Sequence, residues 1–369
     1  MEPTATKIDK RARNAGGIVS REFELSGKME SETATENQAY EVEEIVKKEK
    51  YGTDFNYKHK YLWTHILVHS VLQIGWIISI YVTIYHSKLA TFIWGFTVAF
   101  IAGNVGISIG AHRYYTHRSF KQTFPFKIFV LLVQVMAGQN SMFVWVRDHR
   151  IHHRYADTDV DPHNSTRGLF FSHIGWMMAK KHPLVIKKQK EMNFDDLLED
   201  KLLMLQYKYF LHIYFPLAMI FPMAVAMYFW NETFWCALFT TYFFPYVTNL
   251  HITWTVNSIS HYWGPRPYDK RVKAVESVVS SMLTLGDSWH NFHHTFPWDY
   301  RLGEKFSIPT KMVELFEYLG LVSDLKSASP NMIHAHMKKY GDETGQEMLK
   351  KIMKSKKEEK LVNGDAHAM

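Results

Sequence analysis

Four long apolar stretches punctuate the chain, at about 62–85, 89–111, 207–230 and 234–256. None carries Lys, Arg, Asp or Glu in its body; Lys208 stands at the margin of the third. A helix needs ~20 apolar residues to cross a bilayer core, so each predicts a transmembrane span. The first two are joined only by His86-Ser87-Lys88, and the last two only by Asn231-Glu232-Thr233. Links this short predict two helical hairpins. Each hairpin crosses and returns, so residues 1–55, 112–206 and 257 onward are expected on one side. That side carries Lys180, Lys181, Lys187, Lys188 and Lys190, while the short links are nearly free of cations. Positive charge marks the cytosolic face, which predicts a multi-pass protein with both termini cytosolic. A fifth apolar stretch, 126–145, contains Gln134, Gln139, Asn140 and Ser141. It is expected to lie in the interface or line a cavity, because a spanning helix there would split the histidine clusters described below.

The expected fold class is therefore an all-α integral membrane protein, with four spans in two hairpins capped by a cytosolic helical domain. Residues 1–55 read as a flexible polar arm, 56–325 as the folded domain with its cap from 112–206 and 257–325, and 326–369 as a polar tail. Hydrophobic residues make up 47% of the 369 and aromatics 15%, enough for a large core. The net charge of +7 favours acidic partners, anionic lipid included. No nucleic-acid-binding module is visible, so no nucleic-acid partner is expected. One cysteine, Cys236, excludes an intramolecular disulfide framework.

The chemistry lies in the histidines. His149, His152 and His153 form HxxHH, and His290, His293 and His294 repeat it. On an α-helix, offsets of three and four return to nearly one face, so each box aims its imidazoles at one place. His112 and His117 form a looser pair. Five residues is ~500° of α-helix, which predicts that these two face apart, serve different metals, or flank a bend. Neutral imidazole ligates iron, zinc, copper or nickel. Eight such residues exceed one four-coordinate shell, and two metal ions are the economical answer. His261, four after Asn257, is a candidate ninth ligand. Asp148, Asp157, Asp159, Asp161, Asp287 and Asp299 are candidates to orient the imidazoles.

At this point the chain resembles the membrane acyl-CoA desaturases, most closely the Δ9 stearoyl-CoA type of animals, insects included. The matching stretches are GAHRYYTHRSFK from Gly110, WVRDHRIHH from Trp145, DPHNSTRGLFFSHIGW from Asp161, NSISHYWGPRPYD from Asn257 and HNFHHTFPWDYR from His290. The resemblance runs from about residue 60 to about 325. It implies two Fe2+ ions held by His112, His117, His149, His152, His153, His261, His290, His293 and His294, with Asn257 reaching a metal through water. It implies that Gln139, Trp145, Thr253 and Trp254 line the bend of an acyl tunnel and that Asn104 lies near its methyl end. Asn140, Arg147 and Asp148 match positions that meet the CoA half, with Lys180 and Lys181 near its phosphates.

The implied reaction is oxidation of a fatty acyl-CoA to a cis-unsaturated product at Δ9, with O2 and with electrons from cytochrome b5 and its reductase, in the endoplasmic reticulum membrane. No HPGG-type haem motif is present, so the electron donor is expected to be a separate protein. The chain departs from the family at Gly286-Asp287-Ser288, at Tyr114-Tyr115 and at Thr64-His65. None of these removes a ligand; they bear on chain length and double-bond position. The rival readings are a desaturase of other regioselectivity such as Δ11, a di-iron membrane hydroxylase, and a metal transporter. Transporters hold their ligands near the bilayer midplane, whereas these boxes fall outside the spans.

Overall fold

The computed structural model describes residues 51–365, and residues from Thr53 onward form one compact unit. The arm expected over 1–55 lies outside the described residues up to position 50. What is described is helical almost throughout. Among the described residues, three helices are long and apolar enough to cross a membrane: α1 (Trp63–Tyr85), α2 (Leu89–Thr116) and a third, α5 (Phe210–Trp230). The third begins three residues later than the hydropathy pattern suggests, because Tyr209 has left helical geometry (φ −107°, ψ 18°). The fourth predicted stretch is also one unbroken helix, α6 (234–257). It is more polar than the others, and its hydroxyls are paired inside the bundle. Thr240 lies 3.0 Å from Thr83 and 2.5 Å from Ser87, and Thr248 accepts from Trp76 Nε1 at 2.9 Å.

The two three-residue links meet. Lys88 Nζ donates to the carbonyls of Trp230 (2.6 Å) and Asn231 (2.8 Å), while its backbone N–H and the Thr91 hydroxyl both donate to Glu232 Oε2. Backbone groups freed at the helix ends thus find partners across the two links.

The stretch 126–145, expected as one interfacial or cavity-lining element, is two helices. α3 (Phe124–Met136) spans 13 residues, or ~20 Å, too short for a ~30 Å hydrocarbon core. The chain then turns through Gly138 (φ 65°) and Asn140 (φ 67°). Ser141 caps the next helix, α4 (Met142–Tyr155), by accepting from Val144 N, and α4 carries the first HxxHH. Backbone meets backbone where α2 crosses α3: a Cβ on Gly106 would stand 2.7 Å from Gln134 Cα, so glycine is required there.

The segment after 325, set apart in the sequence as a polar tail, folds back onto the cap. It forms α10 (Pro330–Tyr340) and α11 (Glu343–Asp365), which follow α7 (Val278–Leu283), α8 (His290–Thr295) and α9 (Ile308–Tyr318). Ile333, Met337 and Leu349 bury against Tyr268, Phe292, Phe296 and Ala328. Phe292 is fully buried between His290 and His293, so this small core is the floor on which the second HxxHH stands. The polar look of 326–349 arises because one stripe of an amphipathic helix is enough to dock it. A two-stranded ribbon, Lys121–Gln122 against Val322–Ser323, ties the same region to the end of α2. Truncating Met337, fully buried, to Ala is expected to destabilise the protein by about 2–5 kcal/mol. Thermal denaturation in detergent checks this, and a melting temperature equal to wild type would remove the segment from the folded domain.

Candidate metal centre

Nine histidines converge in two groups. His112, His117, His149, His153 and His293 form one; His152, His261, His290 and His294 form the other; within each, the ligating atoms all lie within 4.8 Å of one another. The two boxes on α4 and α8 divide between the groups. His149 and His153 go to one and His152 to the other, while His290 and His294 go to the second and His293 to the first. Each helix therefore bridges both groups, which places the groups side by side.

His112 and His117 join the same group, contrary to the expectation from α-helical geometry. The reason is local. From Ala102 to Thr116, α2 is wound as a wide π-helix, with i→i+5 bonding that persists to His117 N–H on His112 O (3.2 Å). In that geometry an offset of five is about one turn. The two ring centroids stand 4.9 Å apart.

The Nε2 atoms face each other at ligand spacing. His293 Nε2 lies 2.9 Å from His112 Nε2 and 2.9 Å from His153 Nε2, which is 3.2 Å from His149 Nε2. In the second group, His290 Nε2 lies 3.1 Å from His261 Nε2 and 3.0 Å from His294 Nε2, which is 3.3 Å from His152 Nε2. Two nitrogens bound at about 2.1 Å and a right angle to one ion would stand ~3.0 Å apart. His117 Nε2 is buried with no hydrogen-bond partner in the protein, a cost that a bound cation removes. The donor set thus fits two metal ions.

Carboxylates orient some of these rings. Asp161 Oδ2 accepts from His152 Nδ1 at 2.9 Å, and Asp157 Oδ1 lies 3.1 Å from His261 Nδ1. A proton held on Nδ1 leaves the Nε2 lone pair for metal. Burial holds His149, His153, His290, His293 and His294 well below the ordinary imidazole range. Burial together with the Arg150 guanidinium brings His117 down to about 3. These rings are neutral at cellular pH, as ligation requires. For His152, burial acts downward but the Asp161 carboxylate outweighs it, and the pKa is raised. The other candidate carboxylates serve elsewhere: Asp159 pairs with Arg167, Asp299 with Arg301 and Asp287 with Arg113.

Two cavities open from the metal groups. The upper one, about 640 Å³, is walled by His65, His69, Gln139, Asn140, Asp148, His163 and Trp254 among others. The lower one, about 250 Å³, descends between α2 and α6 past Asn104 to Phe96 and Phe244. Trp145, His149, Thr253 and Asn257 belong to both walls, so the cavities meet beside the first metal group. Gln139 braces the junction: its Nε2 donates to Thr253 Oγ1 (2.8 Å) and its Oε1 accepts from Trp145 Nε1 (3.4 Å).

The fatty acid desaturase family model matches residues 87–309, more than half of the chain. Stearoyl-CoA desaturase of Bos taurus is 40% identical over 290 residues, covering 78% of this chain and 80% of the relative. Acyl-CoA Delta-9 desaturase of Acheta domesticus is 37% identical over 290 residues, with the same coverage. (11Z)-hexadec-11-enoyl-CoA conjugase of Bombyx mori is 40% identical over 291 residues, 78% of this chain and 88% of the relative.

The chain belongs to the fatty acid desaturase family. Asp148 stands at the wall of the upper cavity of this desaturase, joined to Arg147, Lys181 and Gln189. Lys180 lines neither cavity: its side chain is exposed and its backbone pairs with Lys60. Asn104 faces the lower cavity, and its Nδ2 donates to Phe100 O at 2.8 Å, within its own helix. Sequence reasoning missed His163, buried at 6% exposure, which stands over Asp161 and lines the upper cavity. Its one sequence signal was the Asp-x-His spacing in a turn two residues past Asp161. It also missed Trp176, whose ring lies 5.4 Å from that of His163.

Removal of a ligand from either group, His293→Ala from the first or His152→Ala from the second, is expected to abolish activity and lower bound metal. Asp161→Asn is expected to weaken metal retention about 10–100-fold while the ligand set stays complete. Metal analysis of the purified variants checks all three, and wild-type content in Asp161→Asn would deny the carboxylate its orienting role.

Proposed function

We propose that this protein is an acyl-CoA desaturase, stearoyl-CoA 9-desaturase-like, that introduces a cis double bond at Δ9 into a saturated fatty acyl-CoA. The two metals are Fe2+, the oxidant is O2, and the electrons come from cytochrome b5 and its reductase. The protein crosses the endoplasmic reticulum membrane four times, with 234–257 as the fourth span and both termini cytosolic. The observation that carries this reading is the junction of the two cavities at Trp145, His149, Thr253 and Asn257. A chain threaded through both cavities passes there beside the imidazoles. Family membership and the acyl-CoA specificity in the names of the relatives support the substrate class.

The chemistry needs such a site. A methylene C–H bond offers side chains no acid to deprotonate and no leaving group. Iron, when bound, supplies activation of dioxygen for that step. The two hydrogens removed, with two electrons and two protons, account for reduction of O2 to two waters. What the protein contributes is placement. Asp148, held by Arg147 and Lys181, sets a polar mouth for the CoA half. The Gln139–Thr253 bond and the Trp145 ring shape the bend, so that one methylene pair faces His149 and Asn257. Apolar walls at Ile107, Ile252, Phe96 and Phe244 exclude water from the far half of the chain.

Expression in yeast lacking its own desaturase, with mass-spectrometric location of the new double bond, tests the reading. A Δ9 alkene is expected; an alcohol would make the protein a hydroxylase, and an alkene elsewhere would overturn the regiochemistry. Asn104→Ala opens the lower cavity by most of an amide group and is expected to shift preference toward longer acyl chains with iron unchanged. An unaltered product profile across C14 to C18 substrates would show that Asn104 does not limit chain length.

A further inference from the structure

Away from the metal ligands, a chain of hydrogen bonds runs through the membrane half of the protein. His251 Nε2 lies 2.9 Å from the side-chain oxygen Oε1 of Gln73 on α1. His251 Nδ1 lies 3.0 Å from His173 Nε2, and His173 Nδ1 lies 2.9 Å from Ser258 Oγ. Ser258 Oγ donates to Trp254 O at 2.7 Å. Gln73 Oε1 can only accept, so the directions follow from that end. His251 Nε2–H donates to that oxygen. His251 Nδ1 then accepts from His173 Nε2–H, and His173 Nδ1 and Trp254 O share the one Ser258 hydroxyl proton. In this orientation both imidazoles are neutral and each ring nitrogen has one partner.

The location gives the chain its meaning. His173 sits in a wide π turn, Phe171–Gly175, a form that recurs at functional sites. His251, Trp254 and Ser258 follow at offsets of three and seven and share one face of α6. Thr253 and Asn257 occupy the other face and line the cavities. Ser258 is where α6 ends, with φ −111° and ψ −78°; the next three residues form the 3-10 turn Ile259–His261 that delivers His261 to the second metal group. The His173 ring thus bridges two successive turns of α6 at the point where the membrane helix hands over to a ligand. The rings of His173 and His251 also flank Trp254, at 5.7 and 5.2 Å, and Trp254 walls the upper cavity.

We infer that His173 and His251 are positioning residues: their mutual bond holds the last turn of α6, and through it the placement of Trp254, Asn257 and His261 around the bend of the substrate cavity. The inference rests on the desaturase reading of that cavity. A displacement near 1 Å at such a site costs up to ~100-fold in rate, and a helix end that has lost its clamp moves by that order. A buried polar chain is rigid only while complete; with one member gone, the others lose their partners.

Isosteric amides separate the two bonds that His251 makes. Asparagine places a polar atom where Nδ1 stood and keeps the bond to His173; glutamine reaches the Nε2 position and keeps only the bond to Gln73. We expect His251→Leu to lower kcat/KM about tenfold and to broaden the double-bond position, with two irons still bound per protein. His251→Asn should restore both rate and product position, and His251→Gln should not. Measurement is of iron content, kcat and KM separately, and positional isomers of the product with stearoyl-CoA as substrate. Should His251→Leu fail to fold or to hold iron, the Asn and Gln variants decide by themselves. Equal rescue by Gln and Asn, or a His251→Leu enzyme with wild-type product position, would overturn the proposal. Absence of any double bond from the wild-type protein, with iron bound, would instead overturn the desaturase reading on which it rests.

Discussion

The structure depends on one constraint: nine imidazoles must be packed nose to nose at ~3 Å in a buried space. Like-oriented dipoles and unpaired nitrogens make that arrangement unfavourable without a cation, so the surrounding fold has to impose it. Three features do so. The π winding of α2 delivers two histidines at an offset that an α-helix would waste. The α4 and α8 boxes each contribute to both groups, which locks the groups to one another. Asp157 and Asp161, from a single tight turn after α4, hold Nδ1 atoms so that Nε2 atoms point inward.

Everything outward from that centre serves either to brace it or to shape access to it. The C-terminal helices bury Phe292 between two ligands and so fix α8 from behind. Arg113, fully buried beside His112, donates to Tyr300 O and Ser108 O and pairs with Asp287 on the lower cavity wall. A buried guanidinium left unpaired would be costly, so this pair ties α2 to the segment that leads into the last histidine box. The two cavities are lined mainly by apolar side chains with a few placed polar groups, and those few cluster at the junction.

Much of this was legible in the chain itself. The apolar blocks named α1, α2, α5 and α6 to within a few residues, because twenty uncharged residues have few other uses. The HxxHH spacing put each box on one helix but aimed its three imidazoles at one place, whereas each box divides between two groups; the motif order identified the family. The chemistry of imidazole implied metal, and the count implied two ions.

Tertiary structure decided the rest. That His112 and His117 meet depends on a π-helix, whose i→i+5 bonds no local propensity announces; the α-helical period assigned them to different faces. The break of 126–145 at Gly138 is held by Tyr214 and Tyr246, which pack against that glycine, Tyr246 donating to its carbonyl at 3.1 Å, a long-range contact. The tail became part of the core because a few apolar residues, spaced for one helical stripe, suffice when a matching surface exists elsewhere. Which carboxylates orient the ligands could not be read from proximity in sequence: of six candidates, Asp157 and Asp161 face rings of the metal groups, and the others were claimed by arginines, lysines and backbone. Sequence records what each residue can do; the partner that uses it is chosen by the fold, because buried polar groups must be satisfied and only geometry says by whom.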